Sequence, residues 1–133
     1  YQNSFGLIFI DIDHFKHIND TYGHTIGDET LKSLSAVLLS FSRKTDTLGR
    51  WGGEEFLIIV PNTNKESIMT FAQHIRTKVE NFEFPSVGNL TISLGVSLYE
   101  SQETCSSVMT RADKALYMSK NKGRNCISFY ENK

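Results

Sequence analysis

Four acidic residues stand in two pairs, and each pair could take part in holding a metal ion. Asp11 and Asp13 follow a run of apolar residues, whereas Glu54 and Glu55 follow two adjacent glycines. Two carboxylates held close together repel each other unless a cation lies between them. Oxygen ligands without a neighbouring cysteine favour Mg²⁺ or Mn²⁺ over softer metals. The sequence therefore predicts a metal site, provided that the fold brings Asp11 and Glu54 together.

The two glycines that precede Glu54 have both a structural and a functional explanation. Gly52 and Gly53 are typical of a two-residue hairpin turn, whose residues must tolerate positive φ. They also leave the turn without side chains, so that a nucleotide could lie against the backbone. Each motif alone is more often structural, because Asp at a strand end is an ordinary turn former. Together, on two strands of the core, the motifs favour a metal site.

The apolar pattern predicts the elements that would position these residues. Residues 5–12 are apolar almost throughout, as in a central strand covered on both faces, whereas 90–98 alternates as in a strand with one buried face. The predicted elements, from periodicity and capping residues, are a strand over 5–12, a short helix ending at Gly23, a helix after Asp28, a hairpin over 48–60, a helix from the N-cap Asn64, a strand over 90–98, a helix over 106–121 and a strand over 126–130.

This order of elements predicts an α/β (α+β) fold with a mixed central sheet flanked by helices, of the ferredoxin-like or palm type. At 133 residues, the chain is expected to form one domain, residues 1–133. A net charge of −1 provides no general attraction for nucleic acid, so phosphate must be handled locally. Cys105 and Cys126 lack metal or redox spacing and are expected to be free thiols in a reducing cytoplasm. No apolar run is long enough to predict a membrane span or direct membrane contact.

Several motifs along the chain carry a family resemblance. They are Asp11-Ile12-Asp13-His14-Phe15-Lys16, Asn19-Asp20, Tyr22-Gly23-His24, Gly27-Asp28, Arg50-Trp51-Gly52-Gly53-Glu54-Glu55-Phe56 and Lys120-Asn121-Lys122-Gly123-Arg124-Asn125. In order and spacing they resemble the GGDEF family of diguanylate cyclases. The resemblance implies a fold similar to nucleotidyl cyclase catalytic domains and an enzyme that condenses two GTP into cyclic di-GMP and two pyrophosphate. It also implies a cytoplasmic domain of a larger bacterial signalling protein, whether or not that parent protein is membrane-anchored.

The resemblance implies a role for three of the four acidic residues in the two pairs. Asp11, the backbone carbonyl of Ile12 and Glu54 would hold two Mg²⁺ (or Mn²⁺) ions on the triphosphate. Glu55 would assist as a further ligand or in activating the attacking hydroxyl. Such ions, about 3.5–4 Å apart, lower the pKa of the nucleophile and stabilise the leaving group. For Asp13, a turn or salt-bridge role is an equally open interpretation.

Substrate contacts are also implied by the resemblance. Asn19 and Asp28 would bind guanine, since a carboxylate matches its two adjacent donors and penalises the wrong base. Asp28 could at the same time be the N-cap of the second helix. A cation such as Lys120 in a last helical turn also suits the helix dipole. The residues implied in phosphate binding are Phe15, Lys16, Gly52, Gly53, Lys120 and Arg124.

Arg43 and Asp46 match the Arg-x-x-Asp motif of the family's inhibitory site, which binds the product cyclic di-GMP. Without the resemblance, such a pair would be interpreted as a surface ion pair that contributes little. A second arginine often supports this site, and His74 takes its place here. The replacement predicts inhibition that is weaker or sensitive to pH.

The resemblance implies that activity requires a partner, because one domain supplies one half-site for two GTP molecules. An antiparallel homodimer is expected, controlled by an upstream sensor or receiver domain. Two other functions stay open. One is a catalytically silent receptor for GTP or cyclic di-GMP, against which the intact Gly-Gly-Glu-Glu-Phe sequence argues. The other is a dinucleotide cyclase of relaxed base choice, against which Asp28 argues.

Overall fold

A five-stranded sheet with helices on both faces positions the acidic residues. The computed structural model describes residues 4–100 and 102–130. Within them the elements are β1 (Phe5–Ile12), α1 (Phe15–Tyr22), α2 (His24–Phe41), β2 (Thr47–Arg50), β3 (Glu55–Pro61), α3 (Lys65–Asn81), β4 (Ile92–Leu98), α4 (Cys105–Asn121) and β5 (Ile127–Phe129). The predicted order of elements and the mixed α+β sheet are confirmed.

The sheet has the strand order β2-β3-β1-β4-β5. The central strand β1 pairs antiparallel with both β3 and β4, whereas β4 pairs parallel with β5. Every residue of β1 after Phe5 is buried, as its nearly continuous apolar sequence predicted. Because β1 and β3 are neighbours, the condition for a joint site of Asp11 and Glu54 is met.

Strand β4 differs from its prediction, since both of its faces are buried rather than one. Its small residues look like an exposed face in the sequence, but they lie beneath α4. The hydroxyl of Ser97 donates to the carbonyl of Val108 at 2.8 Å. At Gly95, a β-carbon would lie 2.1 Å from the backbone nitrogen of Leu116. The small side chains therefore allow close packing of the helix on the sheet.

The side chains of β1 alternate between the two faces of the sheet, so they pack into two separate hydrophobic clusters. Ile8, Ile10 and Ile12 belong to the larger cluster, which also includes buried residues of α2 and α3. The smaller cluster, on the face covered by α4, consists of Leu7, Phe9, Val108, Ala112 and Leu116. Asp11 has the parity of this second set and so falls on the α4 face. No helix formed by the described residues is long and apolar enough to cross a bilayer.

The junction between α1 and α2 is tighter than predicted. Gly23 ends α1, with φ of 92° and its N–H bonded to the carbonyl of Asn19, and it is also the N-cap of α2. Helix α2 therefore begins at His24, and Asp28 lies one turn inside it. The interpretation of Asp28 as an N-cap is wrong. The first turn of α2 is mostly polar, so the repeating apolar residues begin only after it. The start of the helix was therefore predicted too late in the sequence.

The β2–β3 connection is also longer than the predicted two-residue turn. Arg50 pairs with Phe56, and the N–H of Trp51 donates to the carbonyl of Glu55 at 2.8 Å. Neither Gly52 nor Gly53 has a positive φ. The predicted backbone reason for these glycines is therefore wrong, because the longer loop reverses the chain without a left-handed residue.

Candidate active site

The strand register brings the two acidic pairs to one edge of the sheet. Asp11 lies opposite Glu55 in the β1–β3 ladder, and Glu54 precedes that residue in the loop. Asp11 is buried, whereas both glutamates are half-buried. Burial and then the charge of Asp11 raise the pKa of Glu54 and also of Glu55. These three carboxylates form a cluster whose repulsion a cation would relieve.

Asp11 has one oxygen in an ion pair and one without a partner. Its Oδ2 accepts a hydrogen bond from Nζ of Lys120, in the last turn of α4. Burial acts to lower the pKa of Lys120, but the bond to Asp11 and the charges of Asp11, Glu55 and Glu54 raise it overall. Oδ1 of Asp11 is buried and accepts no hydrogen bond from the described residues. Such an unmet acceptor is costly and therefore points to a missing ligand.

The donor set suits a hard divalent cation that shares its coordination shell with a ligand. Asp11 and Glu54 supply carboxylate oxygens, and no thiol is part of this cluster. Among the residues that the structure describes, no three acidic, histidine or cysteine side chains could hold a metal by themselves. Mg²⁺ usually binds one or two carboxylates and takes its remaining ligands from water and substrate phosphates. The residues present fit that mode of binding.

Asp13 is surrounded differently, because both of its carboxylate oxygens accept hydrogen bonds within the protein. Its Oδ1 accepts from the hydroxyl of Ser93 at 2.6 Å. Its Oδ2 accepts from the hydroxyl of Thr91 at 2.7 Å and from the N–H of Asn125 at 2.9 Å. The open question about Asp13 is thus answered by a buried hydrogen-bonding hub rather than by a salt bridge.

The start of α1 presents backbone donors beside the end of β1. The first helical hydrogen bond runs from the N–H of His17 to the carbonyl of His14 at 3.0 Å, so the N–H groups of Phe15 and Lys16 precede the first bonded donor of the helix. The ring of Phe15 is buried in the core, whereas Nζ of Lys16 pairs with Asp20 at 2.9 Å on the helix surface. The backbone of these residues, rather than their side chains, is therefore free to meet an anion.

The loop that contains Gly52 and Gly53 is open on its outer side. Apart from its own chain neighbours, a β-carbon at either glycine would meet no heavy atom of the described residues within 4 Å. The side chain of Arg50 closes the loop by donating to the carbonyl of Gly53, from Nε at 3.0 Å and from Nη2 at 2.6 Å. Neither backbone strain nor crowding within the chain requires glycine here. The empty space beside the loop fits the predicted approach of a ligand.

Gly27 allows the side chain of Asn19 to lie close to the backbone of α2 just before Asp28. A β-carbon at Gly27 would lie 1.9 Å from Oδ1 of Asn19, so the asparagine side chain rests on the bare backbone of α2. Asp28 follows that glycine directly and is exposed. Its carboxylate forms no hydrogen bond or ion pair with the described part of the chain. The amide of Asn19 therefore lies against the residue that precedes Asp28, whose exposed side chain is available to a ligand.

Lys120 and Arg124 are separated by the end of α4 and a tight turn. Gly123, Arg124 and Asn125 have φ values of 117°, 68° and 48°. The N–H of Arg124 donates to the carbonyl of Ser119 at 3.0 Å. Its side chain is exposed and has no hydrogen-bonding or ionic partner within residues 4–100 and 102–130. Two of the three cations of the predicted phosphate site, Lys120 and Arg124, thus lie at the C-terminal end of α4, and Lys120 reaches the acidic edge.

The Arg-x-x-Asp motif forms a turn of its own, away from the acidic edge. The N–H of Arg43 donates to Oδ2 of Asp46 at 2.8 Å, and Nη2 reaches Oδ1 at 3.3 Å and the carbonyl of Pro61 at 3.2 Å. Asp46 is buried at its side chain, whereas that of Arg43 is 57% exposed. His74 packs edge-on against Phe41, with ring centroids 5.3 Å apart, and lines a different surface pocket from Arg43. Arg43 and Asp46 are hydrogen-bonded to each other, and among the described residues no hydrogen bond or ion pair joins His74 to either of them.

Sequence reasoning missed a polar network behind the turn of α4. Nη1 of Arg76 donates to Oδ1 of Asn125 at 2.9 Å and to Oε1 of Glu80 at 3.1 Å. Nδ2 of Asn125 donates to Oε2 of Glu80 at 2.9 Å. The signal in the sequence was an Arg and a Glu four residues apart on α3, a spacing common on exposed helices. Nothing in that spacing indicated the distant asparagine.

Comparison with known proteins gives a consistent result. The family model described as "Diguanylate cyclase, GGDEF domain" matches residues 1–126. Diguanylate cyclase A of Treponema denticola is 43% identical over 135 aligned positions, which cover 98% of this chain and 36% of that protein. Diguanylate cyclase DgcM of Escherichia coli K12 is 43% identical over 123 positions, covering 92% of this chain and 30% of that protein. This chain thus spans about a third of the length of these relatives.

A solved structure supports the same relationship. The crystal structure of the GGDEF domain of DgcB from Caulobacter crescentus, in complex with c-di-GMP, superposes with a TM-score of 0.91 at 35% identity. The match covers 98% of this chain and 77% of that one. With the family model matching nearly the whole chain, this protein belongs to the GGDEF domain family.

Proposed function

We propose that this chain is a diguanylate cyclase domain, which condenses two GTP into cyclic di-GMP and releases two pyrophosphate. The observation that carries the proposal is the meeting of Asp11 and Glu54 at one sheet edge, with Oδ1 of Asp11 buried and unbonded. Relatives named diguanylate cyclases, and a similar domain solved with c-di-GMP, support the same reaction.

The acidic edge would hold the divalent ions of the reaction. Asp11, the backbone carbonyl of Ile12 and Glu54 would bind two Mg²⁺ (or Mn²⁺) ions, which lower the pKa of the 3′-hydroxyl and stabilise the leaving pyrophosphate when bound. Glu55 lies opposite Asp11, and its raised pKa suits a group that accepts a proton from that hydroxyl or completes the shell.

Basic side chains and backbone donors would hold the triphosphate. The N–H groups of Phe15 and Lys16 precede the first bonded donor of α1, His17, at the end of the helix where the dipole favours an anion. Lys120 is already at the acidic edge, and Arg124 has an exposed guanidinium on the same helix terminus. The open space beside Gly52 and Gly53 would let the nucleotide approach the loop closely.

Guanine would be bound by Asn19 and Asp28. The carboxylate of Asp28 has no partner in the described chain, so it can accept from the two adjacent donors on the guanine edge. Adenine offers a donor next to an acceptor, and its binding would leave one oxygen of the carboxylate facing an acceptor. This difference supports GTP rather than ATP as the substrate.

Assembly and feedback follow from the same chemistry. Each copy binds one GTP, and each 3′-hydroxyl attacks the α-phosphate of the other, so that two copies must meet face to face as a homodimer. An upstream domain would control this meeting through effective concentration. Arg43, exposed above the buried carboxylate of Asp46, would bind the product as an inhibitor. His74 would support that site only after a rearrangement, because it packs against Phe41.

Product analysis tests the catalytic proposal. The chain, alone and fused to a dimeric coiled coil, is incubated with Mg²⁺ and either GTP or ATP, and the products are separated by chromatography. We expect cyclic di-GMP and pyrophosphate in a ratio of one to two from the dimeric form with GTP, and none with ATP. Glu54→Gln removes turnover, whereas Glu83→Gln, the same change at an exposed position in the loop after α3, leaves it intact.

Two results would contradict the proposal. The first is the absence of product from the dimeric form with both Mg²⁺ and Mn²⁺. The second is equal turnover in the Glu54→Gln and Glu83→Gln variants. Tight binding of cyclic di-GMP without any turnover would favour the receptor alternative instead.

A further inference from the structure

The turn after α4 carries a cost that something in the structure must offset. Arg124 and Asn125 are consecutive non-glycine residues in the left-handed region, with φ of 68° and 48°. The left-handed region is costly for arginine and less so for asparagine, and strained residues persist only where surrounding contacts hold them. The conformation of Arg124 sets the direction in which its guanidinium leaves the backbone. Whatever holds this turn therefore also aims a cation of the proposed phosphate site.

Asn125 is held from three sides. Its N–H donates to Oδ2 of Asp13, and both ends of its amide are bonded to α3, at 2.9 Å each to Nη1 of Arg76 and Oε2 of Glu80. Arg76 and Glu80 also pair with each other at 3.1 Å. Hydrogen bonds from Asn125 and Arg76 lower the pKa of Glu80, so its carboxylate is kept ionised as an acceptor. Two separate elements thus fix one residue of the turn.

Asp13 connects this turn to the metal-binding end of β1. It directly follows Ile12, whose carbonyl is a proposed metal ligand, and it is only 6% exposed. Its other bonds, to Thr91 and Ser93, tie it to the start of β4. A shift of the turn relative to β1 would break the Asp13–Asn125 bond. The distance between the metal ligands and the basic turn is therefore set by that contact.

We propose that Asp13 and Asn125 are positioning residues of the active site, which hold Arg124 at the correct distance and direction for the triphosphate of GTP. The inference rests on the proposed function. Neither residue is assigned a contact with the substrate, because the carboxylate of Asp13 and the side-chain amide of Asn125 already form hydrogen bonds within the protein. Arg76 and Glu80 act one step further back by anchoring Asn125 to α3.

Two substitutions at Asn125 distinguish the effect of its left-handed backbone conformation from the effect of its side-chain hydrogen bonds to α3. Asn125→Gly loses both amide bonds to α3 but adopts the left-handed conformation readily, whereas Asn125→Ala loses the bonds and must also bear the cost of φ. Binding is measured by calorimetry with Mg²⁺ and 3′-deoxyguanosine triphosphate, which lacks the attacking hydroxyl. We expect about threefold weaker binding for Asn125→Gly and about tenfold for Asn125→Ala, the latter corresponding to about 1.4 kcal/mol. Asn121→Ala, the same change at an exposed position on the last turn of α4, serves as the control.

A double-mutant cycle decides whether Asn125 acts through Arg124. If it does, Asn125→Ala has no further effect on nucleotide affinity once Arg124→Ala is present, because there is no cation left to position. A residue that merely stabilises the fold would lower the melting temperature without this coupling. Additive effects of Asn125→Ala and Arg124→Ala, or unchanged affinity in the single Asn125→Ala variant, would overturn the inference.

Trypsin provides a readout that needs no nucleotide. Cleavage after Arg124 gives a peptide that begins at Asn125, which mass spectrometry distinguishes from the product of cleavage after Lys122. Asn125→Ala and Asp13→Asn are expected to speed cleavage after Arg124 several-fold under native conditions, and Asn121→Ala is not. Unchanged cleavage would contradict the holding role. Failure of the unaltered chain to bind nucleotide would sink the proposed function together with this inference, whereas normal binding with additive effects would sink the inference alone.

Discussion

Asp11 and Asp13 lie two residues apart at the end of β1, and they are 3% and 6% exposed, yet their surroundings have little in common. Asp13 accepts three hydrogen bonds from a loop and from the start of β4. Within the described residues Asp11 accepts one hydrogen bond, from Lys120, and its other oxygen is buried without a partner beside the glutamates of β3 and its preceding loop. A buried carboxylate oxygen without a hydrogen-bonding partner thus indicates where a ligand would bind. A carboxylate whose oxygens all accept hydrogen bonds indicates a structural role beside that site.

The largest expected difference between the two residues is in stability. Asp13→Ala leaves the hydroxyls of Thr91 and Ser93 and the N–H of Asn125 without their acceptor, so we expect the free energy of unfolding to fall by about 3 kcal/mol. Urea unfolding would measure this, together with a melting temperature lower by roughly 10 °C. Asp11→Ala removes one partner of Lys120 and also relieves carboxylate repulsion, so the change is expected to stay below about 1 kcal/mol. Equal losses in the two variants would show that Asp11 and Asp13 stabilise the fold to the same extent.

A substitution beside a proposed ligand-binding residue should have the opposite effect, because it weakens nucleotide binding without lowering the stability of the fold. Gly27→Ala places a β-carbon 1.9 Å from Oδ1 of Asn19, a flexible side-chain end that can move away. Because alanine stabilises a helix interior by roughly 0.5–1 kcal/mol relative to glycine, the melting temperature should stay the same or rise. Displacement of Asn19 should weaken binding of 3′-deoxyguanosine triphosphate by about tenfold, or about 1.4 kcal/mol. A lower melting temperature with unchanged affinity would show that Gly27 serves the packing of the helix instead.

Lys120 sharpens the comparison because it is the one charged partner of Asp11 recorded among the described residues. Lys120→Met removes this cation from the acidic edge, so Mn²⁺ alone should bind about threefold more tightly and the nucleotide should bind more weakly, for an interaction on the order of 0.5–1 kcal/mol. Electron paramagnetic resonance counts free Mn²⁺, and calorimetry follows the nucleotide. Lys122→Met is the matched control at an exposed neighbour. Weaker binding of both ion and nucleotide would contradict the interpretation of Lys120 as a counter-ion.

The smallest expected effect is a dependence of stability on pH at Glu54. Because burial and then Asp11 raise the pKa of Glu54 in the folded protein above its ordinary value of 4.5, the folded state binds its proton more tightly than the unfolded state does. Stability contributed by that proton is present below pH 4.5 and is lost as the pH rises through the folded pKa. Glu54→Gln should therefore raise the melting temperature of the metal-free protein slightly at pH 7.5 and not at pH 4. An advantage at pH 4 that disappears at pH 7.5 would be the wrong sign.

The sequence predicted those elements whose residues share one pattern along their length. It failed where contacts with residues distant in the chain determine the burial of an element. The apolar run of β1 indicated a central strand because both of its faces are covered. The small residues of β4, by contrast, indicated an exposed face, since only the contact of Gly95 with α4 reveals why they are small. The predicted start of α2 at Asp28 was wrong because its true first turn is polar.

The candidate site divides in the same way. The convergence of Asp11 and Glu54 follows from the pairing of β1 with β3, which local patterns do not specify and which the family resemblance supplied. The role of Asp13 was left open because its partners lie 78 to 112 residues further along the chain. The hydrogen bonds of Asn125 to α3 were unpredictable for the same reason.

Direct measurement of ion binding tests most directly whether Asp11 is a metal ligand and Asp13 is framework. Mn²⁺ is titrated without nucleotide into the unaltered chain and into the Asp11→Asn and Asp13→Asn variants, and the free ion is followed by electron paramagnetic resonance. The account predicts at least about tenfold weaker binding for Asp11→Asn, as expected on loss of a ligand, and less than about a twofold change for Asp13→Asn. Unchanged Mn²⁺ affinity in Asp11→Asn, or an equal loss in both variants, would contradict it.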